Sequence, residues 1–406
     1  MKQKEKIIVG IDFGSSKVCC VVGLIQEISS MPSVIGLGVS PVSGVRKGVI
    51  VDPEETISAL SAAIEEAERM SGITISQAVV GVNGSAITSV NTEATVAIVS
   101  DDRIIKAEDI DRLHKAAAAM RLNPNQQILD IIPQAYLIDG QGGIIDPLGM
   151  NGIKLESSMH VLIAGSPTIR QIDNVLSRLE IRVLDYQPSI LASAEAVSNK
   201  QQRERGIIVL DFGAETTGLV IYSEGQPVWT RVIPAGSLNI SRDLVHALQV
   251  NLEIAEKLKL DYKDIVNNPA SEIDLANYGL DRRIERQLVI DVVSSRVEEI
   301  FGLVAEEIRL ARMNTQLAGG AILTGGGAKL YGIEELAREC LKLPVKISGP
   351  ENIVGIVEQV NEPSMSSGIG VMLRGVEIED YHQGGVNSVI GSLIDKASGL
   401  FKSLIR

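Results

Sequence analysis

Apolar residues recur along the chain with two periods, one typical of strands and one typical of helices. Short runs rich in β-branched residues lie at 7–11, 18–25, 207–210 and 218–222, and they predict the strands of two hairpins. A longer pattern with helical spacing lies at 284–313. We expect most of its apolar stripe to be core; the stripe consists of Ile284, Leu288, Val292, Val297, Ile300, Val304, Ile308 and Ala311.

Another helix is predicted between the two hairpins. Asp52 and Pro53 precede an apolar stripe that stops at Gly72. An aspartate cap, a proline in the first turn and a closing glycine are typical of helix ends, so we expect a helix here that packs on the first sheet. The stripe consists of Ile57, Leu60, Ile64 and Ala67.

The last 21 residues, 386–406, carry a separate helical pattern with apolar residues on one face and basic residues off it. The preceding segment, 376–385, is polar and flexible and gives the stripe no place in the body of the protein. We therefore predict an amphipathic helix that binds an anionic membrane surface reversibly, and a terminal helix docked on its own domain is the alternative. The predicted membrane-binding residues are Val389, Ile390, Leu393, Ile394, Lys396, Leu400, Phe401, Lys402, Leu404, Ile405 and Arg406.

Composition places the chain among folded, acidic proteins. Its 406 residues suggest roughly two to three domains at ~150 residues each, and 45% are hydrophobic. A net charge of −13 disfavours nucleic acid as a partner. Three cysteines predict neither a disulfide framework nor a zinc site. The first apolar run is too short for a secretion signal, and no run approaches the ~18 apolar residues of a spanning helix, so we expect a cytoplasmic location with membrane contact from the surface.

A short segment that could bind phosphate occurs twice. Ile11–Ser16 reads IDFGSS, and Leu210–Glu215, 199 positions later, reads LDFGAE. Glycine lets each turn approach a ligand, and successive turn N–H groups can cradle phosphate oxygens. If the turns faced each other, Asp12 and Asp211 would repel, and a Mg²⁺ between them would remove that cost. The duplication predicts a Mg²⁺-nucleotide site, whereas either turn alone could be a surface hairpin.

A third segment, 321–330, predicts a strand, a glycine loop and the start of a helix. Gly325, Gly326 and Gly327 would let a flat base lie against the backbone, and a flexible strand-to-helix connection is the alternative. Other nucleotide motifs are excluded, because the chain has no Gly-Lys dipeptide for a P-loop and no G-x-G-x-x-G. No histidine precedes Arg-Asp, so the two Asp-Phe-Gly triplets do not indicate a protein kinase.

Two phosphate-type hairpins, a glycine loop and a half-chain duplication resemble the superfamily of actin, sugar kinases and heat-shock chaperones. Within it, the chain is similar to the FtsA family of bacterial cell-division proteins over essentially its whole length. More specific segments are 46–50 (RKGVI), 146–150 (DPLGM) and 323–333, together with Gly152, Leu155, Glu156 and His160. The resemblance implies an α/β, actin-like duplicated ATPase fold with an inserted subdomain 1C and a C-terminal amphipathic helix.

The same resemblance implies a division of the chain. We expect subdomain 1A at 1–82 and 163–200, the inserted subdomain 1C at 83–162, subdomain 2A at 201–237 and 318–375, subdomain 2B at 238–317, a linker at 376–385, and the membrane-targeting helix at 386–406.

Roles for single residues follow from the resemblance as well. Gln187 stands where relatives keep a polar residue that orients the attacking water, although it could be only a helix-start residue. Glu256 and Lys259 match an E-x-x-K that relatives use around the ribose and adenine, and otherwise read as a solvated helix face. Lys17 would bring positive charge to the phosphates, or is an exposed strand-edge lysine. The predicted nucleotide-binding residues are Gly14, Ser15, Ser16, Lys17, Gly213, Ala214, Glu256, Lys259, Gly325, Gly326 and Gly327, and the predicted metal ligands are Asp12 and Asp211.

The function that the resemblance implies is that of an ATP-binding protein that polymerises on the inner face of the cell membrane at the division site and anchors FtsZ filaments there. Slow, Mg²⁺-dependent ATP hydrolysis would accompany it. Arg296 and Glu299 fall where the family's contact charges for the FtsZ C-terminal peptide lie, although such charges are also typical of solvated surface. Subdomain 1C would serve subunit contacts or other division proteins.

One departure and two alternatives qualify this interpretation. Pro234–Ser237 stands where many relatives have paired glycines, which leaves nucleotide binding in place but puts the hydrolysis rate in question. A PilM-like pilus-assembly adaptor would share the fold and the insertion, but the amphipathic tail argues against it. A small-molecule kinase of the same superfamily would need a catalytic aspartate in the first half, and nothing in the sequence marks one.

Overall fold

A computed structural model describes residues 5–26, 32–312, 317–351, 353–355 and 358–383. The first half of the chain forms a mixed sheet with helices against it. Its strand order is β11-β6-β1-β2-β3-β19, in which β1, β2 and β3 are antiparallel and β6 runs parallel to both β1 and β11. The elements of this half before the insertion are β1 (Glu5–Phe13), β2 (Lys17–Gln26), β3 (Ser33–Pro41), β4 (Val45–Arg46), β5 (Val49–Ile50), α1 (Pro53–Ser71) and β6 (Gln77–Val82). Those after it are α3 (Ser166–Arg178), β11 (Arg182–Pro188) and α4 (Ser189–Val197).

Helix α1 confirms the ends predicted from sequence. The Asp52 side chain accepts a hydrogen bond from the Glu55 amide, Pro53 is the first helical residue, and Gly72 closes the helix in the left-handed region at φ 71°. Leu60 and Ala67 are fully buried against the first sheet.

The insertion between β6 and α3 is a small α/β unit with its own core around Leu113, Leu155 and Met159. Its sheet joins the sheet of the second half through Thr88 and Arg231, which gives a nine-stranded order β18-β17-β12-β13-β14-β7-β10-β8-β9. The elements of the insertion are β7 (Thr88–Ala97), α2 (Ala107–Ala118), β8 (Gln126–Ile138), β9 (Gln141–Ile144) and β10 (Lys154–Gly165).

The second half repeats the hairpin of the first and adds a helical layer. Its strand β12 pairs antiparallel with β13 and parallel with β17. The elements up to the long helix are α5 (Lys200–Glu204), β12 (Ile207–Phe212), β13 (Thr217–Ser223), β14 (Gln226–Ile233), α6 (Ser237–Leu248), α7 (Leu252–Leu260), α8 (Tyr262–Asn267), β15 (Glu272–Asp274), β16 (Arg283–Glu285) and α9 (Arg286–Leu310). The later ones are β17 (Ala321–Thr324), α10 (Ile333–Leu341), β18 (Val345–Ile347), β19 (Val354–Gly355) and α11 (Ser366–Gln383). Turns of 3₁₀-helix lie at Leu275–Tyr278, Gly326–Lys329, Glu358–Asn361 and Pro363–Met365.

Helix α9 corrects the predicted stripe in its first turns. Val297, Ile300, Val304 and Ile308 are buried as expected, but Val289 and Val293 are buried in place of Leu288 and Val292. The prediction set the first part of the stripe one residue out of register because Leu288 and Val292 share the spacing of a helical face with their buried neighbours. Leu288 is 40% exposed.

The end of the chain departs from the predicted division. Residues 353–375 were assigned to the second half, yet β19 pairs with β3, and Met365, Ile369 and Met372 belong to the core of the first half. Helix α11 also continues to Gln383, so the first eight positions of the predicted linker at 376–385 are helical. The predicted amphipathic helix at 386–406 lies outside the described residues.

Candidate functional site

The two Asp-Phe-Gly turns adopt the same backbone geometry in the two halves of the chain. In the first turn, the Gly14 amide donates to the Lys17 carbonyl at 3.0 Å, and in the second, the Gly213 amide donates to the Thr216 carbonyl at 2.9 Å. Asp12 and Asp211 each occupy the strand position next to the last before their turn. The duplication seen in the sequence is therefore a structural duplication as well.

Both turns open into one cavity of about 1050 Å³ between the halves. All of the residues predicted for nucleotide and metal contacts line it, although they come from distant parts of the chain. These are Asp12, Gly14, Ser15, Ser16, Lys17, Asp211, Gly213, Ala214, Glu256, Lys259, Gly325, Gly326 and Gly327. A cavity of this size can enclose a ligand as large as a nucleoside triphosphate.

The carboxylates of Asp12 and Asp211 are held by serine hydroxyls. Ser189 donates to Asp12 Oδ1 at 2.8 Å, Ser367 donates to Asp12 Oδ2, and Ser193 donates to Asp211 Oδ2 at 2.5 Å. Burial raises the pKa of Asp12, and burial, together with the charge of Asp12, raises the pKa of Asp211 to about 6. These carboxylates are therefore costly to ionise without a cation nearby.

Two side-chain contacts involve residues that line the cavity. Lys259 Nζ lies 2.7 Å from Glu256 Oε1, and Glu256 accepts a hydrogen bond from Ser241 at 2.5 Å. This pair is therefore fixed at the cavity wall and is not a freely solvated helix face. Lys17 Nζ lies 3.4 Å from the Met365 sulfur, and both residues also line the cavity.

The glycine loop approaches the second aspartate very closely. Gly325 has φ 88°, and a Cβ there would lie 2.3 Å from Asp211 Oδ1, so a side chain is excluded. The following residues, Gly326–Lys329, form one 3₁₀ turn, and helix α10 begins only at Ile333. The predicted helix start directly after the glycines is therefore wrong. The 3₁₀ turn ends at Lys329, and Gly332, in the left-handed region at φ 76°, lies between this turn and α10.

Gln187 does not line the cavity, which leaves its predicted water-orienting role without geometric support. Its amide nitrogen donates to Asp185 Oδ2 at 2.6 Å, and its carbonyl oxygen accepts from Arg374 Nε at 2.9 Å. Arg374 Nη2 in turn lies 3.4 Å from Asp130 Oδ2 of the insertion. Gln187 is thus 4% exposed within a polar cluster that connects β11, α11 and β8.

Arg296 and Glu299 meet at a separate surface groove between α6 and α9. The Arg296 guanidinium binds both carboxylate oxygens of Asp243, and its Nη1 lies 2.8 Å from Glu299 Oε2. The groove measures about 570 Å³, and His246 and Ser295 also line it. The Arg296 side chain is 23% exposed and the Glu299 side chain 59%, so Glu299 is the more accessible charge.

Sequence reasoning missed the three serines that hold the carboxylates. Ser189 and Ser193 lie four residues apart in helix α4, whose other buried residues are mostly aliphatic. Two hydroxyls on one face of an otherwise apolar helix were the available signal, because buried hydroxyls need partners. Ser367 gave no such signal, since it follows Ser366 in a polar stretch.

The part of the chain that the structure describes contains neither a ready-made metal site nor a membrane-spanning helix. No cluster of three or more His, Cys, Asp or Glu side chains could hold a metal ion by itself there. No helix within the same residues combines the length and the apolar character needed to cross a bilayer.

Comparison with known proteins places the chain in a family. Residues 208–370 match the family model described as cell division protein FtsA, and residues 84–163 match the SHS2 domain inserted in FtsA. The chain is 34% identical to cell division protein FtsA of Pseudomonas aeruginosa, with 92% of this chain and 90% of that protein covered. It is 32% identical to FtsA of Bacillus subtilis, with 91% and 83% covered.

Solved structures agree on the fold. A PilM-PilN type IV pilus biogenesis complex matches with a TM-score of 0.66 at 16% identity, covering 91% of this chain and 98% of that one. MreB5 of Spiroplasma citri bound to AMPPNP matches with a TM-score of 0.51 at 16% identity, covering 97% and 99%. These likenesses confirm the actin-like fold, and the match to the inserted SHS2 domain confirms the insertion. The sequence matches also show the family. The chain belongs to the FtsA family of cell division proteins.

Proposed function

We propose that the cavity between the halves binds ATP with Mg²⁺. The phosphates would lie between the two glycine turns, where residues 14–16 and 213–214 line the cavity, and the nucleoside would lie between Glu256, Lys259 and the glycine loop. Carboxylate oxygens are the ligands that Mg²⁺ prefers, and it commonly completes its shell with waters and phosphate oxygens. Asp12 and Asp211 fit this ion, because both carboxylates line one cavity and, among the described residues, their side-chain hydrogen bonds come from hydroxyl groups.

The main support for this proposal is the convergence of thirteen predicted residues on one cavity. The neighbouring fold of MreB5 is described as bound to AMPPNP, a nucleoside triphosphate analogue, in its own structure. Bound Mg²⁺ would neutralise the phosphate charge. Lys17 would add a second positive charge beside the first turn, and Gly325 would keep the wall next to Asp211 free of side chains. Since Gln187 lies outside the lining, we expect hydrolysis to be slow.

The cellular role that we propose is to polymerise on the inner face of the cell membrane at the division site and to tether FtsZ filaments there. Family membership supports the role in division, and the amphipathic pattern at 386–406 supports the membrane contact. Many tails on one filament would bind by avidity, whereas a single tail would bind reversibly. The insertion would contribute to subunit contacts or to other division proteins.

The tether is tested by co-sedimentation with liposomes that contain anionic lipid. The full chain and a version that ends at Gly385 are each mixed with FtsZ. We expect the full chain to carry FtsZ to the vesicles and the shortened chain to leave it in the supernatant. Equal recruitment by both versions would show that the tail is not the anchor.

The groove between α6 and α9 is the surface that we propose for the FtsZ C-terminal peptide. Glu299 is its accessible charge, and Glu306 on the same helix offers a matched control, because each pairs with an arginine three residues away. Glu299→Gln is expected to change peptide affinity about threefold, and Glu306→Gln to leave it within error, in fluorescence anisotropy with labelled peptide. Equal affinities for all three proteins would place the peptide elsewhere.

A further inference from the structure

Two serines of a single helix each hold one of the two cavity aspartates. Ser189 begins α4 and donates to Asp12, which belongs to the first half, and Ser193 lies one turn later and donates to Asp211, which belongs to the second half. Ser193 is fully buried and Ser189 is 3% exposed. A hydroxyl in such surroundings is costly unless it is hydrogen-bonded, so these contacts are specific features of the buried helix.

The helix fixes the separation of the two hydroxyls. Side chains four residues apart lie on one face of an α-helix with Cβ atoms about 5–6 Å apart. Each hydroxyl is within hydrogen-bonding distance of its carboxylate, so Asp12 and Asp211 are tied to points one helical turn apart. Two carboxylates tied in this way can share one hydrated cation between them.

Close packing holds α4 itself in place. A Cβ at Gly370 of α11 would lie 1.8 Å from the Ala192 carbonyl oxygen, so the two helix backbones are in direct contact. On the side of the second half, a Cβ at Gly218 would lie 3.0 Å from Ile190 Cβ. The helix is therefore fixed between the two halves, and the serines that it carries cannot shift independently of each other.

A neighbouring serine behaves in the ordinary way for a helix. Ser198 follows the last residue of α4, and its hydroxyl donates to the Ala194 carbonyl at 2.6 Å. This bond back to the preceding turn is common for serine in helices. Ser189 and Ser193 donate to carboxylates instead, and Ser198 is therefore a matched control from the same part of the chain.

We propose that Ser189 and Ser193 are positioning residues that set the Asp12 to Asp211 separation for Mg²⁺. Helix α4, which lies between the halves, holds the two serines at a fixed distance from each other. This inference rests on the proposed function, because it assumes that the aspartates hold the cation of a bound nucleotide. It adds that the spacing comes from one helix between the halves, and that losing either hydroxyl weakens the cation site while the nucleotide contacts of the turns and the glycine loop remain.

The test separates binding of the cation from binding of the nucleotide. Full-length wild type and the variants Ser193→Ala, Ser189→Ala and Ser198→Ala are equilibrated with a fluorescent ATP analogue, first in EDTA and then with increasing Mg²⁺. For Ser193→Ala, we expect the Mg²⁺ concentration at half-maximal enhancement of analogue binding to rise about five- to tenfold, since a hydrogen bond to a charged group is lost. Affinity in EDTA should stay within twofold, and Ser198→Ala should match wild type.

Ser189→Ala is an independent variant should Ser193→Ala fail to fold, as judged by circular dichroism. We expect a smaller rise for it, of about threefold, because Ser367 still holds Asp12. A half-maximal Mg²⁺ concentration within twofold of wild type for both folded variants would overturn the positioning role alone. Wild type that binds the analogue without any effect of Mg²⁺ would overturn the proposed cation site, and with it this inference.

Discussion

Two pairs of aspartates, each with one buried and one half-buried member, differ in what surrounds them. Asp12 and Asp211 at the cavity receive hydrogen bonds from serines, and among the described residues neither forms an ion pair. We call these two aspartates the cavity pair. Asp130 and Asp185, which we call the junction pair, lie near the insertion in a cluster with Arg374 and Gln187. Burial raises the pKa of all four, and the pKa values of Asp211 and Asp185 both rise to about 6.

The difference lies in charge compensation. Arg374 Nη2 lies 3.4 Å from Asp130 Oδ2, so the junction pair has an arginine within its own cluster. The cavity pair has hydroxyl donors, which stabilise a carboxylate but do not neutralise it, and the charge of Lys17 lowers the pKa of both aspartates without an ion pair among the described residues. Burial alone therefore does not indicate a ligand site, whereas carboxylates that line a cavity and are held by hydroxyl groups in place of an ion-paired arginine or lysine are candidates for one.

The largest expected effect follows from removing a cavity carboxylate. Asp211→Asn should weaken Mg²⁺-dependent binding of an ATP analogue by about 100-fold, roughly 2.7 kcal/mol, because an amide cannot supply the lost charge. Isothermal titration calorimetry with and without Mg²⁺ measures the change. Asp130→Asn is the matched control, since it removes a buried carboxylate outside the cavity and should leave affinity within twofold. A similar loss in both variants would show that the two pairs do not differ in function.

The second prediction concerns folding. Here the substitution in the junction pair is expected to destabilise the protein, and the substitution in the cavity pair is not. Asp130→Asn removes the carboxylate that lies 3.4 Å from Arg374 Nη2 and should lower the free energy of unfolding by about 2 kcal/mol, less than for a fully buried pair because Arg374 is partly exposed. Asp211→Asn should instead raise the melting temperature of the ligand-free protein at neutral pH, because burial raises the pKa of Asp211 to about 6 and its ionised form therefore destabilises the fold above that pH. Thermal unfolding followed by circular dichroism distinguishes these directions. A lower melting temperature for Asp211→Asn would mean that its charge is already compensated.

The third prediction is that the free energy of unfolding depends on pH through Asp185 of the junction pair. Asp185 has a pKa raised from 3.8 to about 6 by burial and then by the charge of Asp130, so the folded protein binds its proton more tightly than the unfolded chain does. The resulting stabilisation is complete below about pH 4 and is lost as the pH rises through about 6. Between these values, wild type should lose about 2 kcal/mol relative to Asp185→Asn, which cannot titrate. Urea unfolding of both proteins at several pH values measures it; parallel curves would contradict the raised pKa.

The sequence could predict much of the fold and the cavity because those signals are local. Asp52, Pro53 and Gly72 define helix α1 by short-range hydrogen bonds and backbone preference, and the two Asp-Phe-Gly turns place their aspartates by the same local geometry. Placement of α11 in the first half could not be predicted in this way, because it depends on contacts of Met372 with strands far away in the chain. The serine partners of Asp12 and Asp211 likewise depend on how α4 and α11 cross.

The smallest effect concerns Gln187, the residue for which sequence and structure differ most. Gln187→Ala should leave ATP-analogue affinity and ATP turnover within twofold, because its amide is engaged by Asp185 and Arg374 away from the cavity. It should lower the free energy of unfolding by about 1 kcal/mol for the lost hydrogen bonds. Phosphate release and thermal unfolding of the same preparation measure the two quantities. A tenfold loss of turnover at unchanged affinity would instead mean that the cluster opens during the reaction and that Gln187 reaches the attacking water, which would join the junction pair to the chemistry of the cavity.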